Sequence, residues 1–192
     1  MRGDVACRRR CGCGSVDAIR DLPAGFTLLE ILVVLAITAG LAALVFPVYQ
    51  RIIQGGNATV CSGHLRQLGI ALNSYLTENN MIMPVLKAGR EKRSDDVPVI
   101  DNTLDRYLTD TRVFACPADT KWAAATGTSY HWNVALNGQS AANLNFLKII
   151  ANPSRIPVLG DKEGFHPYLE TKVNILYADG HASKDVSFFT AH

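Results

Sequence analysis

The sequence predicts an α+β protein in which one long N-terminal helix packs on a small antiparallel β-sheet. Three observations support this fold class: an apolar run at residues 26–46 with a single charge, helical spacing of apolar residues beyond it, and short strand-like segments in the C-terminal half. We therefore expect three parts: a basic leader (1–25), a helix (26–80) and a β-rich head (81–192).

Composition narrows the possible functions. Of 192 residues, 48% are hydrophobic and 19% are charged, and the net charge is +2. These values exclude a disordered polyelectrolyte and a strongly basic nucleic-acid-binding protein, so no nucleic-acid partner is predicted. The sequence contains no Gly-x-Ser-x-Gly elbow, His-Glu-x-x-His helix or phosphate-binding loop. We predict no enzymatic activity and no catalytic residues.

The apolar run at 26–46 has the length of a membrane helix. A helix of this length spans about 31 Å, close to the hydrocarbon thickness of a bilayer. A buried core helix and a secretory signal peptide fit less well, since the run is long and no small-x-small cleavage site follows it. The leader has five Arg against three Asp, which predicts a cytoplasmic N-terminus. We expect a single-pass protein of the inner (cytoplasmic) membrane with a periplasmic or otherwise extracytoplasmic head.

The helix is predicted to continue beyond the apolar run as an amphipathic segment. Pro47 and Gly55-Gly56 weaken it locally, and Asn79-Asn80 with Pro84 should end it. The apolar face has a 4-3-4-3 spacing: Cys61, Leu65, Leu68, Leu72 and Tyr75.

Short apolar segments separated by turn residues predict the strands of the head. The sequence also favours a short helix at Thr103–Leu108 and a charged, solvated loop at Lys87–Asp96. Asp179-Gly180 is a strong hairpin signal. The candidate strands are Val97–Ile100, Val113–Ala115, Thr128–Val134, Ile156–Leu159, Val173–Tyr177 and Ala182–Phe188.

The junction between leader and helix, Gly25-Phe26-Thr27-Leu28-Leu29-Glu30, resembles the prepilin motif of type IV pilins and type II secretion pseudopilins. The resemblance implies that a prepilin peptidase cuts between Gly25 and Phe26 and methylates the new amine of Phe26. Glycine suits this position because a residue without Cβ permits close approach of the peptidase. The leader departs from the family pattern, since it is longer than usual and contains three cysteines.

Glu30 would be the fifth residue of the processed chain. A carboxylate in the bilayer costs a few kcal/mol, which makes it a candidate functional group. When subunits stack, the ammonium of a neighbour's Phe26 could pair with Glu30 and set the register of the helices; alternatively Glu30 extends to the headgroups. The resemblance implies these partners: the prepilin peptidase, further copies and other pilin-like subunits, the inner-membrane assembly platform and membrane lipid.

Four further segments resemble a branch of this superfamily that has a C-terminal H-x9-DG region. The chain departs from that motif, because Leu169 stands ten residues before Asp179 and the nearest upstream histidine is His166. The matching segments are Cys61–Gly69, Val113–Asp119, Ser129–Asn133 and Tyr177–His181.

The cysteines divide between the leader and the remaining chain. Cleavage would remove the leader's C-x3-C-x-C group (residues 7, 11 and 13), in which no fourth zinc ligand has a recognised spacing. It would leave Cys61 and Cys116, an even pair in an exported chain and hence a candidate disulfide. The alternative is two buried thiols.

Histidines and acidic residues of the head could form a metal site if the fold brings them together. His131, His166 and His181 are the histidine candidates. No cofactor is expected, with calcium as the one alternative. Major pseudopilins hold this ion in a C-terminal loop, so the resemblance suggests an acidic site near Asp161 and Glu163, and Asp179 is a further candidate ligand if the fold brings it near. The alternative is that these are turn residues and solvated charges.

The motifs together predict a structural subunit, most simply a type II secretion pseudopilin that polymerises into a periplasmic or surface filament. The alternative is a membrane-anchored binding or adhesive tip subunit that displays the head.

Overall fold

The computed structural model describes residues 25–167 and 171–184. The predicted leader up to residue 24 and residues 185–188 of the last predicted strand lie outside these ranges. The helices are α1 (Leu28–Glu78), α2 (Ile100–Leu104) and α3 (Trp122–Thr126), and the strands are β1 (Tyr130–Trp132), β2 (Pro157–Asp161), β3 (Ile175–Tyr177) and β4 (Ala182–Ser183). Short 3₁₀ turns at Asp105–Tyr107, Thr111–Phe114, Val134–Leu136, Ala141–Asn143 and Pro153–Arg155 connect them.

Helix α1 has 51 residues and continues through Pro47, which lies inside it. Its end agrees with the prediction from Asn79-Asn80. The Asn79 side chain donates a hydrogen bond to the Tyr75 carbonyl (2.8 Å). Asn80 and Met81 then take positive φ values of 53° and 58°, and this left-handed backbone ends the helix.

The chain forms two compact units, and the division falls within α1 between Ala43 and Leu44. In the described part of the first unit, the apolar side chains of α1 are exposed; Leu28, for example, is 82% exposed. Among the described residues, α1 is the one helix that is both long enough and apolar enough to cross a membrane. The second unit contains the rest of α1 together with the sheet.

The sheet is a four-stranded antiparallel meander in the order β1-β2-β3-β4. Tyr130 pairs with Asp161 between β1 and β2, and Leu159 pairs with Leu176 between β2 and β3. The predicted hairpin at Asp179-Gly180 is confirmed, since it joins β3 to β4. Gly180 has a φ of 87°, a conformation that favours glycine.

The predicted apolar face of α1 forms part of the core of the second unit. Cys61, Leu65 and Leu68 have no exposed surface. Leu72 is buried and Tyr75 packs against the core while partly buried. Close packing against the sheet is evident at Gly69, where an added Cβ would lie 3.2 Å from Leu176 Cδ1. The amphipathic half of the helix is thus confirmed as the layer that packs on the sheet.

Two predicted strands are wrong. Val97–Ile100 leads into α2, because the side chain of Asn102 accepts a hydrogen bond from the Val99 N–H (2.9 Å) and turns the chain. Val113–Ala115 falls largely in a 3₁₀ turn, which begins where Asp110 accepts from the Arg112 N–H (2.9 Å).

Other head predictions need smaller corrections. The predicted helix at Thr103–Leu108 begins earlier, as α2, and continues as a 3₁₀ turn. The strand predicted at Thr128–Val134 is limited to β1. The loop at Lys87–Asp96 is less solvated than predicted. Its Arg90 side chain is only 8% exposed and forms an ion pair with Asp101, because the loop folds back over α2.

Candidate functional site

Helix α1 begins with a capping box that the sequence analysis missed. The N–H of Thr27 donates to Glu30 Oε2 (2.8 Å), and the N–H of Glu30 donates to the Thr27 hydroxyl (3.2 Å). The Thr-x-x-Glu spacing was the available signal. Glu30 therefore has a role within its own chain, the capping of the helix, in addition to any role between chains.

The two residues at the predicted cleavage site precede the helix. Gly25 and Phe26 lie in irregular backbone, and the Phe26 side chain is 84% exposed. A Cβ added at Gly25 would meet no atom of residues 25–167 and 171–184 within 4 Å. Packing against this part of the chain therefore does not require glycine at this position.

Inside the second unit, the fold brings together Cys61, Cys116 and His166. Their two sulfurs and the imidazole nitrogen lie within 4.8 Å of one another, and all three residues are buried. Cys61 comes from α1, Cys116 follows the 3₁₀ turn at Thr111–Phe114, and His166 lies in the loop after β2. With Asp161 at the end of β2, these residues form what we call the buried polar cluster.

Direct contacts link the four side chains of the cluster. The Cys61 thiol donates to Asp161 Oδ1 (3.1 Å) and lies 3.4 Å from the Tyr130 hydroxyl. On the other side, His166 Nε2 lies 3.5 Å from Cys116 Sγ and 3.5 Å from Asp161 Oδ2. The contacts thus run from Cys61 through Asp161 and His166 to Cys116.

Asn174, directly before β3, holds the Asp161 carboxylate in place. Its backbone N–H and its side-chain amide donate to Asp161 Oδ2 at 2.7 Å and 3.1 Å. Asn174 is fully buried. Because both donors bind Oδ2, Oδ1 is left facing Cys61.

Burial and mutual contact shift the pKa values of the groups in the buried polar cluster. Burial raises the pKa of Asp161 to about 6, against the opposing hydrogen bonds from Asn174 and Cys61. The neighbouring Cys61 thiol, together with His166, lowers the pKa of Cys116 to about 5, although burial opposes this. Contact with Cys116 and then burial raise the pKa of Cys61. Within the pair, the two pKa values are thus shifted in opposite directions, down for Cys116 and up for Cys61.

The structure has brought the two cysteines of the predicted disulfide together. Cys61 and Cys116 are free thiols in it, with sulfurs within 4.8 Å. The disulfide itself stays a prediction.

The three calcium candidates lie in different surroundings. Asp161 belongs to the buried polar cluster, whereas Glu163 is exposed with an oxygen 3.9 Å from Lys121 Nζ. Asp179 lies in the β3–β4 turn, where its side chain contacts His181. Across residues 25–167 and 171–184, the one group of three or more possible metal ligands is Cys61, Cys116 and His166. The calcium candidates are not brought together there.

Asp119, three residues after Cys116, organises the adjoining turn. Its carboxylate accepts from the backbone N–H groups of Lys121, Trp122 and Ala123 at 2.7–2.8 Å, which caps α3. It also accepts from the Ser129 hydroxyl (2.5 Å), and Ser129 Oγ accepts from the Cys116 N–H (2.9 Å). The Cys-Pro-Ala-Asp segment thus fixes the backbone that presents Cys116 to the cluster.

Comparison with known proteins gives no relative: no family model, no curated protein and no solved structure matches this chain.

Proposed function

We propose that this protein is a pilin-like structural subunit, of the type II secretion pseudopilin kind, that is cut between Gly25 and Phe26 and polymerises through its N-terminal helix. The observation that carries the proposal is the position of the prepilin-like motif. It spans the start of a helix whose first half exposes apolar side chains throughout. The proposed location is the inner membrane before assembly and a filament afterwards.

The cleavage step is supported by the local geometry of the junction. A peptidase needs an extended, accessible segment, and the Gly25–Phe26 bond lies in irregular backbone ahead of α1. Since no atom of the described residues would obstruct a Cβ at Gly25, the proposed peptidase supplies a reason for glycine that packing among these residues does not. Methylation of the Phe26 amine would follow cleavage.

Assembly is proposed to follow from the exposed apolar half of α1 and from Glu30. Helices that leave the bilayer bury their apolar side chains against one another in the filament core. There a neighbour's Phe26 ammonium would pair with Glu30 and reduce the cost of burying the carboxylate. The proposed partners are the prepilin peptidase, further pilin-like subunits, the assembly platform and membrane lipid.

Processing provides the test. The full chain is expressed in a bacterium that has a prepilin peptidase and in a strain that lacks it, and the intact mass of the extracted protein is measured. We expect a chain that begins at methylated Phe26 in the first strain and the uncut chain in the second. Gly25→Val should block cleavage, whereas the matched Gly55→Val should not, because Gly55 is equally unobstructed. An uncut chain in both strains, or a cut after Phe46, would contradict the proposal.

A further inference from the structure

The proposed filament role makes no use of the buried polar cluster. We infer that Cys61, Cys116, His166 and Asp161 form a site for one divalent transition metal ion of the zinc class. The inference stands on the geometry and chemistry of the cluster and is independent of cleavage and polymerisation.

The donor set suits zinc. Two thiolate sulfurs, one imidazole nitrogen and one carboxylate oxygen are the ligand types that zinc accepts in four-coordinate sites. Calcium and magnesium need more oxygen ligands than the cluster supplies. The ligands come from distant parts of the chain, and all of them are buried, as is usual for a structural site without an open position.

The distances are close to those of a tetrahedral site. With bonds of about 2.3 Å to sulfur and about 2.0–2.1 Å to nitrogen and oxygen, neighbouring donors lie roughly 3.3–3.8 Å apart. In the cluster, Cys61 Sγ lies 3.1 Å from Asp161 Oδ1, and His166 Nε2 lies 3.5 Å from both Asp161 Oδ2 and Cys116 Sγ. The two sulfurs lie within 4.8 Å. Cys61, Cys116 and His166 supply the three donors that are mutually close, and Asp161, which contacts Cys61 and His166, would be the fourth ligand.

The surroundings hold the ligands in position. Asn174 fixes Asp161 through Oδ2 and leaves Oδ1 facing the cluster, as partners behind metal-binding carboxylates do. His166 is 1% exposed, and the polar contacts of its side chain among the described residues are made through Nε2, since Nδ1 has no hydrogen-bond partner there. The imidazole is therefore directed into the cluster.

The negative charge of the cluster also favours the binding of a cation. Asp161 is buried, and within residues 25–167 and 171–184 no lysine or arginine forms an ion pair with it. A buried carboxylate with no permanently charged partner is costly. A divalent ion would compensate that charge. A disulfide would use the two sulfurs but leave the carboxylate and imidazole without their thiol partners.

Metal content is measured on the full chain with Cys7, Cys11 and Cys13 changed to serine, so that the thiols of the leader cannot contribute. The protein is purified in a mild detergent without chelator. We expect about one zinc ion per chain. His166→Gln and Cys116→Ser should reduce this to below about a tenth, whereas His181→Gln, which alters an exposed histidine, should leave it unchanged.

Cobalt substitution keeps the test decisive if a variant does not fold. Co²⁺ added to the protein in which only the three leader cysteines are changed to serine should give the sulfur-to-metal charge-transfer absorption and the visible bands of a tetrahedral site. Octahedral bands without sulfur charge transfer would overturn the inference. Zinc that is retained equally in His166→Gln and His181→Gln would also overturn it. Metal-free protein in which Cys61 and Cys116 react with a thiol reagent only after reduction would overturn it as well, because that result identifies the disulfide.

Discussion

Truncation of one core residue of α1 tests whether the amphipathic half of the helix supports the head. Leu68 has no exposed surface, whereas Ile70, two residues further on the same helix, is 67% exposed. Leu68→Ala removes three buried carbons and leaves a cavity, at a cost of about 3 kcal/mol in unfolding free energy. Ile70→Ala removes a similar side chain from the surface and should change the free energy by less than about 0.5 kcal/mol.

The assay is thermal unfolding of the full chain in detergent, followed by tryptophan fluorescence, to which the buried Trp132 contributes. A loss of about 3 kcal/mol corresponds to a fall in Tm of roughly 6–12 °C for a chain of this size. The Ile70→Ala control should melt within about 2 °C of the parent. Equal shifts for the two variants would refute the assignment of the buried face.

Two further predictions use the same melting assay. Asp119→Ala leaves the first N–H groups of α3 and the Ser129 hydroxyl without their acceptor and should lower the unfolding free energy by about 2–3 kcal/mol. Asp119→Asn keeps an acceptor oxygen and should lower it by less. Equal losses for the two variants would contradict the capping role. Arg90→Leu leaves the 13%-exposed Asp101 carboxylate without its cation and should cost about 3–5 kcal/mol. Leucine at both positions should recover much of that loss, and no recovery would argue against the ion pair.

The sequence predicted those parts of the fold that local patterns determine. The stripe from Cys61 to Tyr75 identified the buried face of α1, because helical spacing directly reports which side chains share a face. Asp179-Gly180 located the β3–β4 hairpin, because a tight turn depends on the residues within it. Val97–Ile100 and Val113–Ala115 failed because neighbouring Asn102 and Asp110 side chains redirect the backbone, and an apolar run of a few residues does not show this.

The buried polar cluster depends on contacts between distant segments. Cys61 and Asp161 are a hundred residues apart in the chain, and no spacing rule connects them. The sequence did single out both cysteines, His166 and Asp161, but it assigned them to two different sites. Only the packing of α1 on the sheet places the four side chains together, and Asn174, which orients the carboxylate, had no sequence signal.

The central claim, that the apolar helix assembles through Glu30, can be tested with two variants that separate charge from helix capping. Glu30→Gln keeps an oxygen that can accept from the Thr27 N–H but removes the charge that would attract a neighbour's amine. Thr27→Ala removes the hydroxyl of the capping box and keeps the carboxylate. Both proteins are expressed with the peptidase and the assembly proteins, and processed protein in the membrane is measured first.

The deciding measurement is the yield of cross-linked or sheared multimers relative to processed protein in the membrane. For Glu30→Gln we predict normal processing and a fall in multimers of about tenfold or more, whereas Thr27→Ala should assemble normally. Normal multimers from Glu30→Gln, or an equal loss from Thr27→Ala, would contradict the account.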